Sequence, residues 1–396
     1  GGQIPAARKE GTMELRLDRN KTYGLVLEGG GARGAYQIGA WRALKEAGIA
    51  ISGIAGTSVG ALNGALVCMD DLERAERIWK NIRWSHVMDV DDKLMEAARK
   101  MRIPVRRPSA GDPPDGHASG LVLGKVLGEA GRIIRTGGFD VTPLRRLIEG
   151  AVDEERIRSS GRELYAVTYS LTDHCPLVVD ICGLPDGEMA QMLMASAYLA
   201  GFKREKIGGK YYSDGCRANN VPVDVLIDRG YKDIIVIRIY GPGVDAEKHL
   251  KVPEDVNLYH IAPRTSLGGI LEFDGKKARR NMALGYFDGL RMLYGLSGRR
   301  YYLDVPAGEA YYCRRLAKEA GLLARLLGER EGGSARYYTE ELFPKLAREL
   351  RLGRDWDYRE LYLGILERLA AERGAGRLRV YGLKEFWERA AGGPRH

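Results

Sequence analysis

The chain has 396 residues, 44% of them hydrophobic and 29% charged, with a formal net charge of +9 and a pI near 9.2. That composition excludes disordered and collagen-like chains and leaves room for one large α/β domain with a smaller appendage. The positive charge suits an anionic partner, a membrane surface or nucleic acid; no recognition helix, zinc finger or RNA-binding signature is present, so nucleic acid is not expected.

Residues 1–12 are polar and Gly-rich and read as partly a cloning remnant within an N-terminal segment, 1–21. A short apolar strand over 23–28 runs into Gly29-Gly30-Gly31-Ala32-Arg33-Gly34 and then a helical stretch, Ala35 to Ala47. A second strand, 51–56, leads into Gly56-Thr57-Ser58-Val59-Gly60 and another helical run from Ala61. Strand, tight turn and helix in that order make a G-x-S-x-G nucleophile elbow, with Ser58 strained at the turn. Gly56 and Gly60 are needed on either side because a Cβ there would strike the neighbouring chain. Residues 48–69 carry no charge and are long enough for a membrane span. Their Gly-rich centre, with Ser52, Thr57, Ser58 and Asn63, favours a buried strand-turn-helix in a soluble protein.

Ser85 to Gly120 interrupts the alternation with an amphipathic stretch, Val90 to Met101, followed by Arg102, Arg106, Arg107 and a Pro/Gly-rich loop. It reads either as a lid or membrane-contact element, Met95, Met101, Ile103 and Val105 meeting acyl chains, or as a solvated connector. Thr142-Pro143 is a helix start with Thr as N-cap and Pro at the first position. Strands follow at 163–170 and 177–181. Lys206 to Gly215 reads as a hairpin turning at Gly208-Gly209 and delivering Asp214-Gly215 at the end of its second strand, 207–213. A helix over Asp224–Tyr231 and strands at 233–240 and 256–262 complete an α/β pattern: a largely parallel sheet with helices on both faces. Beyond residue 300 the helical spacing of Ala310–Leu327, Thr339–Leu350, Tyr358–Arg373 and Leu383–Ala390 marks a C-terminal helical region.

Gly29, Gly31 and Gly34 also spell the dinucleotide fingerprint G-x-G-x-x-G, which wants a carboxylate at the end of the next strand. None lies between Glu46 and Asp70. The glycines read better as backbone N–H groups free to face a developing oxyanion ahead of a helix. A nucleotide-binding protein and a non-catalytic lipid-binding scaffold stand as the alternatives.

The G-G-G-x-R-G loop, the G-x-S-x-G elbow within about thirty residues and the late Asp214-Gly215 together resemble the patatin-like phospholipases of bacterial type. Gly138 to Leu147, Ala195-Ser196-Ala197 and Asn220-Val221-Pro222-Val223 add to the likeness, which spans roughly residues 22–297. Two positions depart from it: Cys216 stands where Gly or Ala usually follows, and Ala200 where proline is common. The resemblance implies a patatin-like catalytic domain over 22–297, with 85–120 as a lid insertion, and a helical domain over 298–396. It also implies a serine acyl hydrolase of the phospholipase A or lysophospholipase type, with Ser58 as nucleophile and Asp214 as base. Gly29, Gly30, Gly31, Ala32 and Arg33 would form the oxyanion loop, with Gly30, Gly31 and Ala32 giving the amides and Arg33 either locking the loop or attracting a lipid phosphate. Gly215 would support the turn at the base.

None of the six histidines, His86, His117, His174, His249, His260 and His396, lies in a triad motif. No H-E-x-x-H, Cys-x-x-Cys or EF-hand pattern occurs, so neither metal nor cofactor is expected. The expected partner is a phospholipid or other lipid ester, met at a peripheral membrane surface. Five irregularly spaced cysteines point to a reducing, cytoplasmic compartment.

Overall fold

A computed structural model describes residues 13–100, 138–199, 201–306 and 308–392. The chain divides into two compact units, one of residues 18–289 and one built from 290 onward together with residues before 18.

In the larger unit the strands are β1 (Thr22–Leu27), β2 (Ala50–Thr57), β3 (Glu163–Ser170), β4 (Cys175–Asp180), β5 (Tyr212–Asp214), β6 (Asp233–Ile237) and β7 (Asn257–Ile261). They form one sheet in the order β4-β3-β2-β1-β6-β7, with β5 also on β3. The pairings β1–β2, β1–β6, β2–β3 and β6–β7 are parallel, whereas β4 and β5 run antiparallel to β3. The central strands are apolar on both faces because both are covered. Val26, Ala55, Tyr165 and Val236 share one face and pack with Val225 and Leu226 of a short helix. On the other face Ile54 and Leu164 meet the helix that follows β2, so closely that a Cβ on Gly64 would lie 3.0 Å from Leu164 Cδ1.

The helices of this unit are α1 (Ala35–Glu46), α2 (Val59–Cys68), α3 (Leu72–Lys80), α4 (Asp92–Lys100), α5 (Thr142–Ala151), α6 (Glu154–Ser159), α7 (Met189–Ser196) and α8 (Val223–Ile227); α9 spans Gly275–Tyr294. From residue 290 onward, α10 (Glu309–Leu326), α11 (Phe343–Glu349), α12 (Tyr358–Glu372) and α13 (Leu383–Ala391) enclose their own core around Tyr312, Tyr362, Leu366 and Phe386.

Several expectations change. The Gly208-Gly209 turn forms, with Ile207 bridging Lys210 and both glycines at positive φ. The strand after it covers only Tyr212–Asp214 and ladders on β3 rather than on the preceding segment. The strand expected to reach residue 240 stops at Ile237, where the chain turns away to meet Glu28. Thr142 is not the N-cap of α5 but its first residue; Val141 holds the cap position without a side-chain bond, and the Thr142 N–H donates to Asp140 Oδ1 at 2.7 Å. The helix over Thr339–Leu350 is a π turn, Tyr337–Leu342, continued by α11. Two three-residue strands, Tyr302–Asp304 and Val380–Gly382, pair in parallel without having been foreseen, being too short to show alternation. Of the segment 85–120, a 3-10 turn at Trp84–His86 and α4 are seen; its basic stretch, His117, Ala200, His396 and residues 1–12 lie outside the described residues.

Candidate active site

One edge of β3 assembles the site. Over its first half that edge carries β2, up to the pair Val167–Thr57; from the next residue it carries β5, starting at the pair Thr168–Asp214. Ser58, one residue past the end of β2, and Asp214, at the end of β5, are thereby set side by side. Ser58 Oγ donates to Asp214 Oδ2 at 2.6 Å, with Ser58 6% and Asp214 3% exposed.

The backbone at Ser58 has φ 55° and ψ −124°, a region costly for a residue with a side chain. Its surroundings hold it there. A Cβ on Gly60 would lie 2.1 Å from Leu27 O, one on Gly56 2.5 Å from Gly60 C and O, and one on Gly215 2.1 Å from Val167 O. The Ser58 N–H donates to Ser196 Oγ at 2.9 Å, and Ser196 Oγ donates in turn to Val167 O at 2.6 Å. Sequence reasoning missed Ser196, whose partners are 138 and 29 residues away. Thr57 Oγ1 donates to Asn219 O, tying the elbow to the chain after Asp214.

Burial pushes the Asp214 carboxyl above its ordinary range, opposed by the hydrogen bonds from Ser58 and from Cys216 N at 2.9 Å. A raised carboxylate is the better proton acceptor near neutrality. Burial and the adjoining Asp214 push the Cys216 thiol up to about 12, so this cysteine stays protonated. The described histidines stand on other elements: His86 in the 3-10 turn, His174 between β3 and β4, His249 at the end of the turn Ala246–His249 and His260 on β7 beside Glu247.

The glycine loop differs from expectation at two of its amides. Gly29 N–H donates to Asn220 O at 3.2 Å and Ala32 N–H to Ile270 O at 2.7 Å, so neither amide is free for an oxyanion. The Arg33 guanidinium donates to three backbone carbonyls, Gly268 O at 2.8 Å, Ile239 O at 3.4 Å and Tyr240 O. The amides of Gly30 and Gly31 are the loop's remaining donors, and Val59, at the first position of α2, has no intrahelical acceptor for its N–H. Asn63 joins loop and elbow: its Nδ2 donates to Gly34 O and Gln37 Oε1, and its Oδ1 accepts from Trp79 Nε1.

Beside Ser58 an apolar cleft of about 790 Å³, its open mouth included, follows α2 along Val59, Leu62 and Leu66, with Ile78 and Trp79 of α3 and Leu144 and Ile148 of α5 opposite. Among the described residues no group of three or more His, Cys, Asp or Glu side chains is placed to hold a metal ion, and no helix is long and apolar enough to cross a membrane.

A strained serine at a strand-helix elbow, bonded to a buried aspartate and facing a glycine loop, defines a class of α/β proteins. The chain belongs to the patatin-like phospholipase family, whose sequence profile it matches over residues 25–227, just over half its length. It is 26% identical over 227 residues to patatin-like phospholipase domain-containing protein 7 of Mus musculus, a match covering 57% of this chain and 14% of that protein. Over 50 residues it is 60% identical to lysophospholipase nte1 of Aspergillus terreus, covering 13% of this chain and 3% of that one. The chain thus spans a small part of the length of these relatives. Among solved structures, VipD from Legionella pneumophila aligns at 13% identity and a TM-score of 0.41, covering 89% of this chain and 85% of that one.

Proposed function

We propose that the chain is a serine hydrolase of lipid esters, of the phospholipase A or lysophospholipase type, working through a Ser58–Asp214 dyad at a membrane surface. The observation that carries the reading is the 2.6 Å hydrogen bond from a strained, buried Ser58 to a carboxylate whose affinity for protons is raised by burial. As the Ser58 oxygen attacks the ester carbonyl, its proton passes to Asp214 and the carbonyl π pair moves onto oxygen, where the Gly30 and Gly31 amides receive it. Collapse expels the alcohol, which takes the proton from Asp214; water, deprotonated by Asp214, then attacks the acyl-serine, and the Ser58 oxygen takes that proton back as it leaves and the fatty acid is released. Each oriented donor contributes about 2.7–4 kcal/mol to such a step.

The cleft along α2 suits the acyl chain, since each methylene transferred from water into it contributes about 0.8 kcal/mol. Exposed Tyr240, Val244 and Leu271, on the loops that follow β6 and β7, support contact with a lipid surface. Covalent labelling by a fluorophosphonate tests the chemistry: the wild type should label at Ser58 and release fatty acid from lysophospholipid vesicles, and Ser58→Ala should do neither. Unchanged turnover in Ser58→Ala would remove the assignment.

A further inference from the structure

The residues on either side of the three glycines carry opposite charges and reach for the same strip of backbone. Glu28, at the end of β1 and 2% exposed, accepts through Oε2 from Ile239 N–H at 2.6 Å and Tyr240 N–H at 2.9 Å, and through Oε1 from Gly241 N–H at 3.2 Å. Arg33 approaches from the other side and donates to the carbonyls of Ile239 and Tyr240. One carboxylate thus takes the strip's N–H groups, and one guanidinium supplies its C=O groups.

The strip is shaped by this grip. Tyr240 has φ 50°, uncommon for a residue with a side chain, and the residue is 56% exposed, so burial in a core does not impose the conformation. The two bonds to its own N–H and C=O do. The strip in turn lies directly on the glycines. A Cβ on Gly241 would be 1.8 Å from Gly29 O, and one on Gly30 would be 2.8 Å from Ile239 Cδ1. Glu28 is held in place from behind by Arg238, whose Nε donates to Glu28 Oε2 at 3.0 Å while its other nitrogens bind Asp245 and Glu247.

We infer that Glu28 and Arg33 are positioning residues, a two-sided clasp that fixes the Gly30 and Gly31 amides against the strip 239–241. This rests on the hydrolase reading above for its effect on rate, and on the strip's geometry alone for its effect on the loop. Neither residue touches the reacting atoms; both act through the loop between them.

Glu28→Gln keeps the volume but sets an amide N–H₂ against the strip's N–H donors, and Arg238 retains two carboxylates. We expect kcat on a soluble short-chain ester to fall about 10²-fold, the scale of one misplaced oxyanion donor, with KM within about threefold and fluorophosphonate labelling slowed in parallel. Arg33→Lys, which keeps the charge without the fork, should lose less than Arg33→Met. A purely structural role predicts otherwise: a lower Tm, with kcat unchanged well below it, and that result overturns the inference. Should Glu28→Gln fail to fold, the half-buried Arg33 carries the same test. Amide hydrogen exchange gives a reading independent of turnover. The Gly29 and Ala32 amides should be protected in the wild type and lose protection in both variants; unchanged protection overturns the clasp even if the wild type shows no hydrolase activity.

Discussion

The elbow around Ser58 and the loop Gly29–Gly34 are both glycine-rich turns from a parallel strand into a helix, and they are held by a different balance of steric packing and directed hydrogen bonds. At the elbow the constraint is steric and backbone-to-backbone: the missing Cβ atoms of Gly56, Gly60 and Gly215 make room for carbonyls of the elbow itself and of β1 and β3. At the loop close backbone contacts, such as Gly31 on Ile270 O, are joined by flanking side chains that reach backbone far along the sequence, Arg33 to Gly268 and Glu28 to 239–241. A turn fixed by close backbone packing fails by unfolding, whereas a turn fixed by directed hydrogen bonds fails by misaiming its amides. The predictions below test that distinction.

The largest effects belong to the elbow's chemistry. Ser58→Ala and Asp214→Asn should each lower kcat by at least about 10⁴-fold, the double variant being little worse because the two act as a unit. Changing His86, His174, His249 or His260 should leave kcat largely intact; a histidine whose loss cost as much as Asp214 would replace the dyad with a triad. Asp214 also gives a pH dependence whose sign is fixed. Its folded-state pKa is raised by burial, so the stabilising protonated form is fully present below the unfolded value and its benefit is lost as pH rises through the folded one. Activity needs the opposite, ionised form and should fall as pH drops through the same window. Asp214→Asn should therefore raise Tm relative to wild type at neutral pH, with the gap closing in acid. A lower Tm at neutral pH would mean that the carboxylate stabilises the fold.

Next come the glycines themselves. A Cβ on Gly60 meets the Leu27 carbonyl, which cannot move without disturbing β1, so Gly60→Ala should destabilise by about 1–3 kcal/mol and abolish labelling of Ser58. A Cβ on Gly30 meets the terminal Cδ1 of the Ile239 side chain at 2.8 Å instead, and φ there, 166°, lies outside the left-handed region. Gly30→Ala should keep Tm within a few degrees while kcat falls about 10–10²-fold through displaced donors. Thermal unfolding and kcat measured side by side check both; equal losses of stability would erase the contrast between the two turns.

How much of this could be read from the chain follows the same division. The elbow lies within five consecutive residues, so Gly56, Ser58 and Gly60 announce it. The sheet was legible too, because strands covered on both faces are apolar runs separated by helical periods. Asp214 was reachable only through resemblance, since its place beside Ser58 depends on which edge of β3 the segment Tyr212–Asp214 joins. Ala32 and Gly29 were misjudged as loop donors because the carbonyls that take their amides belong to Ile270 and Asn220, which no local pattern links to the loop. Ser196 sat in a recognised segment without any signal that its hydroxyl would hold the amide of Ser58.

The smallest effect concerns the cleft rather than either turn. Val59, Leu62 and Leu66 line it from one face of α2, and Leu66 lies seven residues, about 10 Å along the axis, beyond Val59. An acyl chain bound at Ser58 and running along this face would reach Leu66 only if it is of medium length or longer. Leu66→Trp should therefore lower kcat/KM for long-chain esters about tenfold, the worth of one or two methylenes excluded from an apolar site, and leave short-chain esters unaffected. The comparison of chain lengths on one variant separates this from general damage, which would lower both. A uniform loss would place the chain elsewhere than along α2, and no loss at all would mean that the chain leaves the cleft before Leu66.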